Sequence, residues 1–146
     1  MAITILQEMS VDTHWLGGAE FVRVNKDHWN DWCLRLIGSY QMQLGTLVVV
    51  FCTDDELLKL NKQVLDHDYY TDIITFDKVV DNRLVGEIYI SLERVIENAE
   101  IAQVSFDDEL DRVFIHGVLH LIGFNDKTEI EQQEMRNREN LALEIR

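Results

Sequence analysis

Gly45-Thr-Leu-Val-Val-Val-Phe-Cys52, running directly into Thr53-Asp-Asp-Glu56, is the stretch that decides the fold. From Thr46 to Cys52 every position is apolar or β-branched. Such a run is too continuous for a strand with one wet face and predicts an interior strand of a covered sheet. Thr53 and Glu56 have the spacing of a capping box, in which each residue satisfies a free N–H near the other. They predict a helix with Leu57, Leu58 and Leu60 on its buried side, ending at Asn61 and the exit toward Val64-Leu65.

The same alternation extends in both directions. Upstream, Ile3 to Gln7 and the residues from Val11 onward are β-branched enough for an edge strand, and Gly17-Gly18 breaks the chain. Apolar residues at helical intervals from Ala19 to Tyr40 predict a long helix, with Trp29, Trp32, Leu36 and Tyr40 in the core. Downstream, Asp72 to Asp77 and Leu84 to Ser91 read as neighbouring strands joined by a turn at Asp81-Asn82. Ser91 caps a helix through about Ala99, and Ser105 with Asp108 offers a box for the next, which Gly123 ends. Thr128 with Glu131 opens a last helix whose packing residues are expected to be Ile130, Met135, Leu141 and Ile145. The expected architecture is therefore α+β in layers: a mixed, mainly four-stranded sheet with about five helices.

With 146 residues, 47% of them hydrophobic, the chain is expected to form one domain over residues 1–146. The start Met-Ala-Ile-Thr-Ile-Leu-Gln-Glu-Met lacks a basic, apolar leader, and no later run has the length of a membrane span. The expectation is a cytoplasmic protein with no membrane partner. Cys33 and Cys52, without CxxC spacing, read as buried thiols. A formal net charge of −14 disfavours a broad polyanionic contact but leaves room for a bound cation or a local basic groove.

The chemistry concentrates in His116-Gly-Val-Leu-His120-Leu-Ile-Gly123-Phe-Asn-Asp126. Residues four apart share a helix face, so His116 and His120 can converge. Gly123 lets the chain leave with positive φ and fold back, bringing Asp126 to the same point. Two histidines alone are equally compatible with half-buried polar groups, and an aspartate near Thr128 with a turn. Ligand, ligand, turn glycine and ligand together fit a tripod on the C-terminal-half helix and its following turn. Three protein ligands leave one position open, the arrangement of a catalytic metal site. Gly117 stands where a zinc peptidase of the HExxH type has its glutamate base, so peptide hydrolysis by that route is not expected.

The segment His116 to Asp126 resembles the signature of the YbeY family, usually His-Gly-x-Leu-His-Leu-x-Gly-Tyr-Asp-His. It shares His116, Gly117, Leu119, His120, Leu121 and Gly123, with Phe124 for Tyr and Asp126 for the last histidine. Leu60-Asn61, Asp68, Thr71 to Phe76 and Gly86 to Ser91 are similar to further family segments, so the likeness spans approximately residues 44 to 143. Leu65 stands where members commonly have an arginine facing RNA phosphate, and Asp72 stands for asparagine.

The resemblance implies a metal-dependent endoribonuclease acting on single-stranded RNA in 16S rRNA 3′-end maturation and ribosome quality control. It implies one ion on His116, His120 and Asp126. Zn2+ is the first expectation, and the two-histidine, one-carboxylate set also suits Ni2+, Fe2+ or Mn2+. It would put Thr75 and Ser91 along the cleft as hydroxyl donors and Glu87 there as a general base. His67 would lie near substrate, with Lys59, Lys62, Lys78, Arg83 or Arg112 at the border. Expected partners are single-stranded or ribosomal RNA and small-subunit ribosomal proteins, with the chain a monomer. The alternatives are a metal-dependent hydrolase of another substrate and a non-catalytic ribosome-assembly factor with a structural metal.

Overall fold

The computed structural model describes residues 10–15, 24–66, 71–80 and 82–146. Among them, four strands form one sheet: β1 Ser10–Trp15, β2 Gln43–Cys52, β3 Ile73–Val80 and β4 Arg83–Ser91, in the order β1-β2-β4-β3. β1, β2 and β4 are parallel, and β3 runs antiparallel to β4 as the other arm of a hairpin. Five helices accompany them: α1 Lys26–Ser39, α2 Asp54–Leu65, α3 Leu92–Ala102, α4 Phe106–Ile122 and α5 Glu129–Glu144. This is the mixed α+β architecture expected from the alternation of strand and helix patterns. None of these helices is long and apolar enough to cross a membrane.

The continuous run in β2 has its predicted cause. β2 lies between two strands, and its two faces serve two cores. Leu47, Val49 and Phe51 meet α1, α4 and α5 in the main core, while Cys52 on the other face joins Leu57 of α2 and Ile74 of β3. Both thiols are buried, and desolvation pushes the Cys52 thiol up to about 12, followed in effect by the charges of Glu56 and Asp54. Neither cysteine belongs to a ligand cluster among the described residues.

α1 holds the helical layer together through its tryptophans. Trp29 stacks on Phe114 of α4 at 3.9 Å between ring centroids and 3° between planes, and its indole N–H donates to Asp111 at 2.8 Å. Trp32 donates to the Ala142 carbonyl of α5, also at 2.8 Å. Both rings thus bury their area while satisfying their one polar group.

Several element boundaries differ from expectation for local reasons. α1 begins at Lys26, capped by the Asn25 side chain, rather than at Ala19; residues 19–23, like Ile3 to Gln7, lie outside the described residues. α2 passes through buried Asn61 and ends at Leu65, where Asp66 takes a left-handed φ of 54°. Ser105 accepts from the Asp108 N–H, but the reciprocal bond is not formed, because aspartate is one methylene shorter than the glutamate a box uses. In α5 the buried residues are Met135, Glu139 and Ala142, whereas Ile130, Leu141 and Ile145 are 82%, 59% and 43% exposed. The helix is rotated so that a carboxylate, rather than those aliphatics, faces α4.

Two glycines let α4 lie close to the sheet. A Cβ on Gly117 would stand 2.7 Å from Ile73 Cδ1 and 3.1 Å from the Ile88 side chain. One on Gly86 would stand 2.7 Å from the Phe76 carbonyl oxygen and 3.1 Å from the methyls of Leu121. The neighbour of Gly86 is main chain and cannot swing aside. Gly86→Ala is therefore expected to destabilise the fold by about 1–3 kcal/mol, seen as a lower urea midpoint at unchanged slope.

Candidate metal centre

His116 and His120 lie on the last two turns of α4, on either side of Gly117 and its contact with the sheet. Gly123 ends the helix at φ 125°, its N–H bonded to the Leu119 and His120 carbonyls. The chain then doubles back, and Asp126 arrives just before the capping box of α5 at Thr128 and Glu131. The three donors converge. The two histidine Nε2 atoms are 3.0 Å apart, and Asp126 Oδ2 is 3.3 Å from each. Among the described residues this is the group of three whose donor atoms could hold one ion. A tetrahedral ion with bonds of about 2.0–2.1 Å draws its ligands to roughly 3.3 Å from one another.

The hydrogen bonds around the histidines select a tautomer for each ring in its neutral form. His120 Nδ1 lies 2.9 Å from the Phe124 carbonyl, which can only accept, so Nδ1 is the donor and Nε2 keeps its lone pair. His116 Nδ1 lies 2.7 Å from Glu139 Oε2 and donates to that carboxylate. In the neutral rings both Nε2 lone pairs therefore face the Asp126 carboxylate oxygen. A cation satisfies that arrangement, and the chain binds a single divalent metal ion with His116, His120 and Asp126.

Glu139 was not anticipated from the sequence, yet it orients the first ligand. It is 5% exposed and receives Arg112 on its other oxygen at 2.9 Å. Burial would raise its pKa, but the hydrogen bonds from His116 and Arg112 outweigh burial and hold it below the usual carboxylate range. Burial likewise opposes charge on His116. The Glu139 hydrogen bond and charge, with Asp72 and Asp126, prevail and raise its pKa above the ordinary value. A histidine held by a carboxylate in this way is a more basic and better aimed ligand. No local pattern marks Glu139; its role depends on α5 packing across α4.

Two cavities flank the donors. On the His116 side is one of about 490 Å3, lined by Asp72, Asn98, Glu109, Arg112, Arg136 and Glu139 among others. Burial raises the pKa of Asp72 there, with the nearby His116 acting in the opposite sense. On the His120 side is one of about 260 Å3, lined by Asn61, Leu65, Thr71, Ile73, Ile74 and Thr75. Thr75 and Leu65 are thus brought beside the metal ligands, and Arg112 beside the other cavity.

The remaining expectations divide by strand direction and by helix capping. Glu87 is not brought to the site. Gly86 and Ile88 on either side of it face α4, so strand alternation points Glu87 to the opposite face, where it is exposed and accepts a hydrogen bond from Tyr89 at 2.9 Å. Ser91 is buried and serves as a cap, donating to Asp54 at 2.8 Å and accepting from the Arg94 N–H. Lys59, Lys62 and Arg83 line neither cavity, and His67 and the Lys78 side chain lie outside the described residues. Arg136 is the cation that sequence reasoning missed.

Proton and metal compete for His116 Nε2, so metal affinity is expected to fall as pH drops through the raised pKa of that histidine. Glu139→Gln removes the charge that raises it. The variant is expected to bind Zn2+ about 10–100-fold more weakly near neutral pH, while its acid release shifts to lower pH. Titration against a chromophoric chelator over a pH series measures both.

Known proteins agree with this construction. The family model described as Endoribonuclease YbeY matches residues 19–145. An endoribonuclease YbeY of Bacteroides thetaiotaomicron is 43% identical over 134 residues, covering 92% of this chain and 98% of the relative. That of Christiangramia forsetii is 48% identical over 126 residues, covering 86% and 88%. The solution structure of TM1509 from Thermotoga maritima matches with a TM-score of 0.59 at 26% identity, over 92% of this chain and 87% of that one. With its motif glycines, its convergent donors and these relatives, the chain belongs to the YbeY endoribonuclease family, as a member whose third metal ligand is an aspartate.

Proposed function

We propose that this protein is a metal-dependent endoribonuclease that cleaves single-stranded RNA during ribosomal RNA maturation, at the 3′ end of 16S rRNA. The observation that carries the reading is the convergence of three donors, from His116, His120 and Asp126, with His116 lining one cavity and His120 another. A structural site would be closed by a fourth protein group. A divalent ion held there supplies Lewis acidity to a phosphoryl oxygen. Zn2+ is the first choice for two imidazoles and one carboxylate.

The chain's own residues account for the rest. Glu139 holds His116 in one tautomer, and the Phe124 carbonyl holds His120, so neither ring must reorganise when substrate enters. Thr75 offers its hydroxyl to substrate beside His120. Gly117 carries no base, and RNA brings its own 2′-hydroxyl as a nucleophile. Asp72 and Glu109, on the wall of the cavity that His116 also lines, are carboxylates available to accept a proton there. A formal charge of −14 favours a second reading, in which the protein is an assembly factor that approaches basic small-subunit ribosomal proteins. Both readings expect a cytoplasmic monomer of one domain.

Metal analysis of the purified protein, joined to cleavage assays on single- and double-stranded RNA, separates them. Stoichiometric metal and cleavage of single strands are expected. His116→Ala, His120→Ala and Asp126→Ala should each lose metal and lower cleavage by about a hundredfold or more. Stoichiometric metal without cleavage would favour the assembly factor, and full activity of metal-free protein would defeat the proposal.

A further inference from the structure

β3 is an edge strand: among the described residues it pairs with β4 alone. The Ser91 N–H donates to the Asp72 carbonyl at 3.0 Å, in register with the Ile73–Ile90 and Ile74–Tyr89 pairs that follow. In an antiparallel ladder the main-chain groups of successive residues point alternately toward and away from the partner. Asp72 and Ile74 therefore face β4, while Ile73 and Thr75 turn their N–H and C=O outward. At Ile73 those groups are occupied, because Thr71 Oγ1 donates to the Ile73 carbonyl at 3.2 Å and accepts from its N–H at 3.5 Å. At Thr75 neither the outward main chain nor the hydroxyl has a partner among the described residues.

Thr75, whose outward main-chain groups have no partner among the described residues, lines the cavity of about 260 Å3 beside His120. Among the described residues, His120 is the one ionisable side chain on its wall, which Leu65, 40% exposed, also lines. The two arginines near the metal line the opposite cavity. A phosphate is poorly served by a leucine and an outward carbonyl. A flat ring with donors and acceptors along one edge is well served by both. A protein strand adding to β3 would need a succession of free outward groups, and Thr71 has already closed the position before Thr75.

We propose that the cavity beside His120 is a nucleobase subsite, in which the base next to the scissile phosphate packs on Leu65 and is read along its edge by the main-chain N–H and C=O of Thr75. The inference rests on the reading of the chain as an enzyme acting on RNA. The strand would then cross the metal with one base held on the His120 side and its backbone directed toward Arg112 and Arg136. An unstacked base is available for this in single-stranded RNA and not in a duplex.

The test uses metal-loaded protein and a single-stranded RNA in which an abasic residue is moved one position at a time, with affinity read by fluorescence anisotropy and cleavage read on the same strands. One position next to the cleaved bond should weaken binding about tenfold when its base is removed. Leu65→Ala and Thr75→Pro should abolish that positional effect; proline is tolerated because the lost N–H points away from β4. Leu65→Arg should replace base dependence with a steeper salt dependence. Metal stoichiometry checks folding, and if Thr75→Pro fails it the two Leu65 variants decide. Equal binding of all abasic strands by the native protein would overturn the subsite. Base-dependent binding without cleavage would sustain the subsite and defeat the nuclease reading.

Discussion

The close approach of α4 to the sheet is the constraint on which the rest depends. Gly117 faces Ile73 and Ile88 across a gap that leaves no room for a side chain, and Gly86 does the same below Leu121. Because the helix lies that near, His116 and His120 reach out on either side of β3's end and open onto separate cavities. Trp29 stacked on Phe114 fixes the far side of the same helix. The ligand geometry is thus set by hydrophobic packing over the length of α4 rather than by the ligands themselves, as precise sites on rigid elements require.

Polar groups complete what packing begins. Arg112, Glu139 and His116 form a chain of charge-assisted hydrogen bonds in which each member answers the burial of the next. A carboxylate that is 5% exposed would be costly alone. Between a guanidinium and an imidazole N–H it is satisfied, and it turns a desolvated histidine into a directed donor. The same logic explains why α5 leaves Ile130 and Leu141 outside. The rotation that would bury them would remove Glu139 from His116.

What the sequence makes legible is what local chemistry decides. The boxes at Thr53–Glu56 and Thr128–Glu131 form as read, because both partners sit within one turn. The metal triad is legible for a related reason: two ligands share a helix face and the third follows a glycine that reverses the chain. Glu139, Arg136 and the cavity wall at Asp72 are not legible, since each comes from an element whose position is set only when helices pack. Glu87 shows the opposite failure. Its motif was recognisable, but the period of two in β4 puts it on the far face from its neighbours Gly86 and Ile88, and motif matching carries no information about facing.

The Glu139–His116 bond also imposes an order in time. Glu139 is translated 23 residues after the histidine it orients, and the three donors are all made before it. A growing chain therefore passes through a stage at which the donors exist but the His116 ring is free to rotate and to take either tautomer. Docking of α5, which also receives the Trp32 indole at Ala142, ends that stage. Docking of α5 on α4 is thus the step that aims the His116 ring and tightens its hold on the ion.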